Sequence, residues 1–183
     1  MSEPIQYISH PYEVVPYSDS WPGLFVSEAS IIQDVFGDKA SDIQHVGSTS
    51  ISGMSAKPQL DILVQMRNIS DADDCRQAMT QAGYVAYGDM LHKGGRLFSR
   101  WKGDSKLVNV HVFEATSPIV WEYLAVRDYL RTHKKEAEDY AALKLSLYAK
   151  YPTNYLKYRE LKDPYIEALK TRIREFSASD SAN

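Results

Sequence analysis

Apolar residues recur at Phe25, Ala29, Ile32 and Phe36, the spacing that lines one face of a helix. Pro22 sits near the start of that helix, where a missing N–H is tolerated, and Gly37 ends it. Ahead of it, Tyr12–Tyr17 reads as a short edge strand stopped by Pro16. Beyond it the apolar period shortens to two. Ile43–Val46 reads as a short strand, residues 47–50 (GSTS) as a turn and Gln59–Met66 as a clear strand. Ala72–Ala82 reads as a helix closed by Gly83. Tyr84–Tyr87, Arg96–Trp101 and Leu107–Phe113 read as further strands, broken by Gly88 and the Gly94-Gly95 pair. After Pro118 the helical period returns over Ile119–His133, Glu136–Tyr151 and Leu156–Phe176. Pro152 separates the last two, and Pro164 should start or kink a helix near Asp163. The tail 177–183 reads as frayed and disordered.

These elements predict an α/β (α+β) chain forming one domain over residues 1–176. A small mixed sheet with helices occupies about 12–117, and a helical section about 118–176. At 183 residues such a domain buries a proper core without staples. A hydrophobic share of 44% and a charged share of 25% are those of an ordinary soluble protein. A formal net charge of -3 argues against general nucleic-acid coating, while leaving room for a local basic pocket. With Cys75 the only cysteine, no internal disulfide can form, and a cytoplasmic location is expected. The first ten residues lack the basic start and apolar run of a signal peptide, and no stretch suits a membrane helix.

The candidate chemistry gathers in residues 45–66 (HVGSTSISGMSAKPQLDILVQM). Gly47 and Ser48 follow a strand and precede a short helical stretch, a place that favours phosphate or another anion; a serine-rich capping turn explains them equally well. In the next strand Leu60, Ile62, Val64 and Met66 share one face, and Asp61, Leu63 and Gln65 the other. A carboxylate among such neighbours needs a partner, and Lys57 is the upstream candidate. Asp61 reads either as a structural ion-pair residue or as one that binds metal or orients substrate. Asn109, His111 and Phe113 share a face of a later strand, so His111 could meet Asp61 if the strands are neighbours. His45 is a third candidate. Asp61 and His111 could ligate a divalent metal, although the spacing is no metal motif. Arg96 and Arg100 share a strand face suited to gripping phosphate or carboxylate, or stand on a solvated face. In the helical section Arg127, Lys144 and a tyrosine stripe (Tyr140, Tyr148, Tyr151) would complete a cationic pocket opposite Asp61 if they face the sheet.

At Val14-Val15-Pro16-Tyr17, Trp21-Pro22, residues 45–50 (HVGSTS), Lys57-Pro58, Asp61-Ile62, His111-Val112, residues 127–131 (RDYLR) and residues 140–144 (YAALK), the chain resembles the GrpB family, also called UPF0157. The resemblance runs from about Tyr12 to Glu175. It implies a nucleotidyltransferase-like mixed β-sheet flanked by helices. In active members of that superfamily a Gly-Ser turn contacts the nucleotide triphosphate, and three carboxylates hold two divalent metals that activate the attacking hydroxyl. Gly47-Ser48 match the turn, with Thr49 beside them, and Asp61 matches the first carboxylate. Leu63 stands where the second is expected, and Asn109 and His111 where the third is expected. A two-magnesium site needs hard oxygen ligands that one aspartate cannot supply. The resemblance therefore implies retained binding of a nucleotide or other small anion, or a reaction on Asp61 and His111 with magnesium or manganese. It also implies an alternative, a non-catalytic accessory module, because a similar domain is found fused to dephospho-CoA kinase. The expected pocket contains His45, Ser48, Lys57, Asp61, Arg96, Arg100, His111 and Arg127. A structural interaction protein would scatter these residues instead.

Overall fold

The computed structural model describes residues 12–90 and 93–180, with side chains as far as Phe176. Its elements are α1 (Trp21–Phe36), β1 (Ala40–Val46), β2 (Leu60–Met66), α2 (Ser70–Asp74), α3 (Arg76–Gln81), β3 (Val85–Gly88), β4 (Arg96–Lys102), β5 (Ser105–Glu114), α4 (Pro118–Thr132), α5 (Lys134–Lys150) and α6 (Tyr155–Asp180). Short 3-10 turns at Gly37–Lys39 and Ser48–Ser50 flank β1.

The five strands form a single mixed sheet in the order β1-β2-β5-β4-β3. β2 and β5 run parallel at its centre, and the remaining pairs are antiparallel. A parallel pair needs a long crossover, and here α2, α3 and the β3–β4 hairpin provide it. Strand alternation sorts the faces as the residue pattern predicts. Leu60, Ile62, Val64 and Met66 join Val108, Val110 and Val112 in a core closed by Trp21, Ile32 and Phe36 of α1 and by Ala72 and Met79 beyond β2. Each such aliphatic side chain contributes about 1.5–3 kcal/mol on burial. On the opposite face Val46, Leu63 and Phe113 pack beneath Val120 of α4. That apolar lid covers one end of the face and leaves Asp61 and Asn109 beyond it.

The helical section docks on the loop that follows the first turn. Ile51 and Met54 are buried with Leu130 of α4, Tyr140 of α5, and Leu169 and Ile173 of α6. This contact brings the cations of α4 and α5 to residues 47–50. Among the described residues no helix is long and apolar enough to cross a membrane.

Several local expectations change. Tyr12–Tyr17 forms no strand; only Val15 bridges, to Ala56, through hydrogen bonds of 2.9 and 3.0 Å. Pro16 has no N–H with which to extend that ladder. The helix expected over Ala72–Ala82 breaks at Cys75, where ψ opens to -1°, giving α2 and α3. Pro164 lies inside α6 and starts no new helix there. α6 also runs through residues 177–180 of the expected disordered tail; residues 181–183, and 1–11 of the expected domain, lie outside the described residues.

Candidate functional site

The turn after β1 meets Asp61 at close range. Gly47 has φ +71° and ψ -174°, a conformation that side-chain-bearing residues avoid. A Cβ built on it would stand 2.7 Å from Asp61 Oδ2, so this backbone can lie against the carboxylate only as glycine. Asp61 pairs with Asn109 across the parallel β2/β5 register, and Leu63 with His111, which puts Asp61, Asn109 and His111 on one face. Asp61 Oδ1 accepts from Asn109 Nδ2 at 3.1 Å and Gln59 Nε2 at 3.4 Å, and lies 3.3 Å from His111 Nε2. An ionised carboxylate only accepts, so the His111 proton belongs on Nε2. His111 Nδ1 lies 3.2 Å from the Tyr123 hydroxyl. Behind Asn109, Ser99 Oγ donates to its Oδ1 at 2.8 Å. Burial alone would raise the Asp61 pKa; the hydrogen bond and charge of His111, the Asn109 amide and the charge of Lys57 outweigh it and hold the carboxyl below its usual value. Asp61 is thus ionised at neutral pH and 29% exposed, with Oδ1 saturated.

Two lysines act on this carboxylate through their charges. Lys57 does not touch it: its Nζ donates to Tyr155 Oη at 2.9 Å and sits 4.5 Å over the ring, so the expected direct pairing gives way to a charge felt at a distance. Lys106 lies over Trp101, 4.8 Å from its centroid. Burial and the charges of Lys57 and Arg159 pull Lys106 below its ordinary pKa, against the pull of Asp61. Lys57 and Lys106 thus feel the charge of Asp61, whereas Arg159 is paired with Asp163 at 3.2 Å.

Lys144 is 2% exposed and donates to Ser48 Oγ at 2.9 Å and to the Ser55 carbonyl, with its Nζ 4.6 Å over the Tyr140 ring. It therefore grips the turn from behind. Arg131 does likewise through the Ser50 carbonyl, at 3.2 and 3.0 Å. Thr49 is buried too, donating to the Gln59 carbonyl at 3.4 Å and lying 3.0 Å from His45 Nε2.

Other expected members of the pocket do not join it. Arg96 and Arg100 pair in register with Val112 and Val108, which puts them on the face opposite Asp61. Arg96 forms a two-pronged pair with Asp73, at 2.7 and 2.6 Å. Arg100 binds Glu28 at 2.8 Å and the Ala82 carbonyl at 3.1 Å, and stacks over Tyr84. Both anchor helices to the sheet. His45 pairs with Ile62, also on that opposite face, and stacks on Phe25. Arg127 reaches the edge of β1, donating to Gln44 Oε1 at 2.7 Å and the His45 carbonyl at 3.2 Å while it pairs with Asp128.

The donor set does not suit a pair of magnesium or manganese ions. One carboxylate, one imidazole and one amide fall short of the several oxygens such ions require. Among the described residues no group of three or more His, Cys, Asp or Glu side chains could hold a metal. Leu63, in place of a second carboxylate, is fully buried against α4.

Gln59, Tyr123 and Lys106 escaped the residue pattern as site members. Gln59 was the most legible, two positions before Asp61 and hence on its face. Tyr123 lies one helical turn before Arg127. Lys106 pairs with Trp101 across an irregularity between Arg100 and Trp101, and it feels the charge of Asp61.

A family profile described as "GrpB protein" matches residues 11–172. The UPF0157 protein YqkA of Bacillus subtilis is 32% identical over 170 residues, covering 93% of this chain and 49% of that protein, so the chain spans about half the length of this relative. The crystal structure of the conserved protein GrpB from Enterococcus faecalis superposes with a TM-score of 0.84 at 26% identity, covering 90% of this chain and 99% of that one. A Mycobacterium tuberculosis protein named dephospho-CoA kinase is 32% identical over 77 residues, 40% of this chain and 19% of that protein.

Proposed function

The chain belongs to the GrpB family, and from that premise we propose that it binds a nucleotide or another small anionic ligand on the Asp61 face of its sheet, beside the Gly47-Ser48 turn of a nucleotidyltransferase-like fold. The observation that carries this reading is an ionised Asp61 against the Gly47 turn, within reach of the charges of Lys57 and Lys106, in a chain of formal net charge -3. Local cations in an acidic protein suit an anionic ligand. Lys57 and Lys106 would take its charged part, and the rings of Tyr155 and Trp101 beside them its planar part. Asp61, with Oδ1 occupied, would accept a ligand hydroxyl or amine through Oδ2 and so orient it.

Nucleotidyl transfer by two metals is disfavoured by the donor set. Thermal stabilisation should be read with nucleoside triphosphates and small phosphorylated metabolites, with and without magnesium or manganese. A ligand at 100 times its dissociation constant should stabilise the chain by about 2.7 kcal/mol. That shift should need no added metal and should shrink in Lys57→Met and Lys106→Met. Stabilisation that requires metal and disappears in Asp61→Asn would restore the transferase reading, and no shift with any ligand would sink both.

A second reading is a non-catalytic accessory or folding-assistance module. The match to part of a protein named dephospho-CoA kinase favours it. It predicts no turnover of any bound ligand and a measurable effect on a partner domain's refolding yield.

A further inference from the structure

A cleft of about 370 Å³ opens at the outer edge of β1, between α1 on one side and α4 on the other. β1 is the end strand of the sheet, so the cleft follows a free strand edge. Its apolar wall is Pro22, Phe25 and Val26 of α1 with Ile43 of β1. The Phe25 ring stacks on the imidazole of His45, with centroids 4.9 Å apart and planes within 8°, which fixes both rings at the cleft. Burial pushes His45 down to about 4, so at neutral pH it brings no charge to the cleft.

The opposite wall carries Arg127 and Arg131, which differ in role. The Arg127 side chain is 10% exposed and donates to Asp128, Gln44 and the His45 carbonyl. It caps the strand edge, which discourages the addition of another strand. The Arg131 side chain is 43% exposed. Its Nε and Nη2 hold the Ser50 carbonyl, whereas Nη1 stands 3.8 Å from Asp128, beyond hydrogen-bond range. Asp128 serves both arginines, at 2.7 Å from Arg127 and 3.8 Å from Arg131, so the two guanidiniums and one carboxylate leave a net positive charge whose more exposed bearer is Arg131.

We propose that this cleft is a second binding site, for a small organic oxyanion whose carboxylate or phosphate is taken by Arg131 Nη1 and whose short apolar body lies against Phe25, Val26 and Ile43. Its size falls in the roughly 300–1,000 Å³ range of small-molecule sites. It is distinct from the site around Asp61, since neither Asp61 nor its partners Asn109 and His111 line it.

Benzoate, phenyl phosphate and inorganic phosphate are titrated into the full chain by calorimetry. One or both aromatic anions should bind saturably and more tightly than inorganic phosphate; comparing those two distinguishes carboxylate from phosphate. Arg131→Gln should weaken binding by roughly tenfold to a hundredfold, the loss of a charge-assisted hydrogen bond. Arg131 also holds the turn, so Val26→Asp is the second variant. Val26 is 65% exposed, and a carboxylate there repels an anion without removing core packing. Asp61→Asn should leave the affinity unchanged. The site is overturned if no probe binds saturably, or if binding survives in both Arg131→Gln and Val26→Asp. Loss in Asp61→Asn alone assigns the anion to the site around Asp61 and also overturns it. Inorganic phosphate binding as tightly as the aromatic anions removes the apolar body from the proposal.

Discussion

Gly47→Ala should destabilise the protein by about 2–5 kcal/mol. Two separable costs add. The φ of +71° with ψ -174° is a region that residues with a side chain avoid. The new methyl would also meet Asp61 Oδ2 at 2.7 Å and Asp61 Cβ at 3.1 Å, and neither can retreat easily. Asp61 is tied by Asn109 and His111, and its backbone lies in β2 between β1 and β5. Urea denaturation of Gly47→Ala, Asp61→Ala and the double variant separates the costs. With the carboxylate gone, Gly47→Ala should cost less, because the backbone conformation remains strained while the contact with Oδ2 is relieved. Equal costs in both backgrounds would mean that the close approach contributes nothing, and that the turn and Asp61 are not coupled.

That coupling was only half legible in the residue pattern. Strand parity correctly put Asp61 with Leu63 and His111 with Asn109, because alternation is a local property. Whether two strands are neighbours is not local. The parallel β2/β5 pairing that joins Asp61 to His111 depends on a crossover of more than thirty residues. Arg96 and Arg100 failed for the same reason. Parity puts them on one face together, but only the register with Val112 and Val108 says which face. Their partners, Asp73 and Glu28, lie 23 and 72 residues away in the chain. Lys57 and Tyr155 are 98 residues apart. Long-range ion pairs of this kind leave no periodic trace. Leu63 did carry its meaning openly, since an apolar residue in place of a carboxylate predicts packing, and it packs under Val120.

Protein stability should rise between about pH 7 and 10, and Lys144→Met should remove most of that rise. Lys144 is 2% exposed; burial, reinforced by the charge of Lys162, pushes it down to about 7 from an ordinary value of 10.5. Between those two values the unfolded chain holds a proton that the folded chain has released, so raising the pH favours folding, by about 1.4 kcal/mol per pH unit at the steepest. Below about pH 7 both states carry the charge, and the folded state bears the full cost of burying it. His45, lowered to about 4 from 6.5, acts in the same direction over its own window from pH 4 to 6.5. The tyrosines oppose it at high pH. Tyr84, Tyr123 and Tyr158 are raised above 10 by burial, so above pH 10 the unfolded chain loses protons that the folded chain keeps, and stability falls. Lys106, also lowered by burial, acts in the same direction, so it is the comparison of wild type with Lys144→Met at pH 6, 8 and 10 that isolates Lys144. Lys144→Met leaves the Ser55 carbonyl without this donor and loosens Ser48, yet it eliminates a buried charge. Its disadvantage against wild type should accordingly be smallest at pH 6 and largest at pH 10. Parallel pH curves for the two proteins would mean that Lys144 stays charged against the turn throughout, and that another group supplies whatever slope is seen.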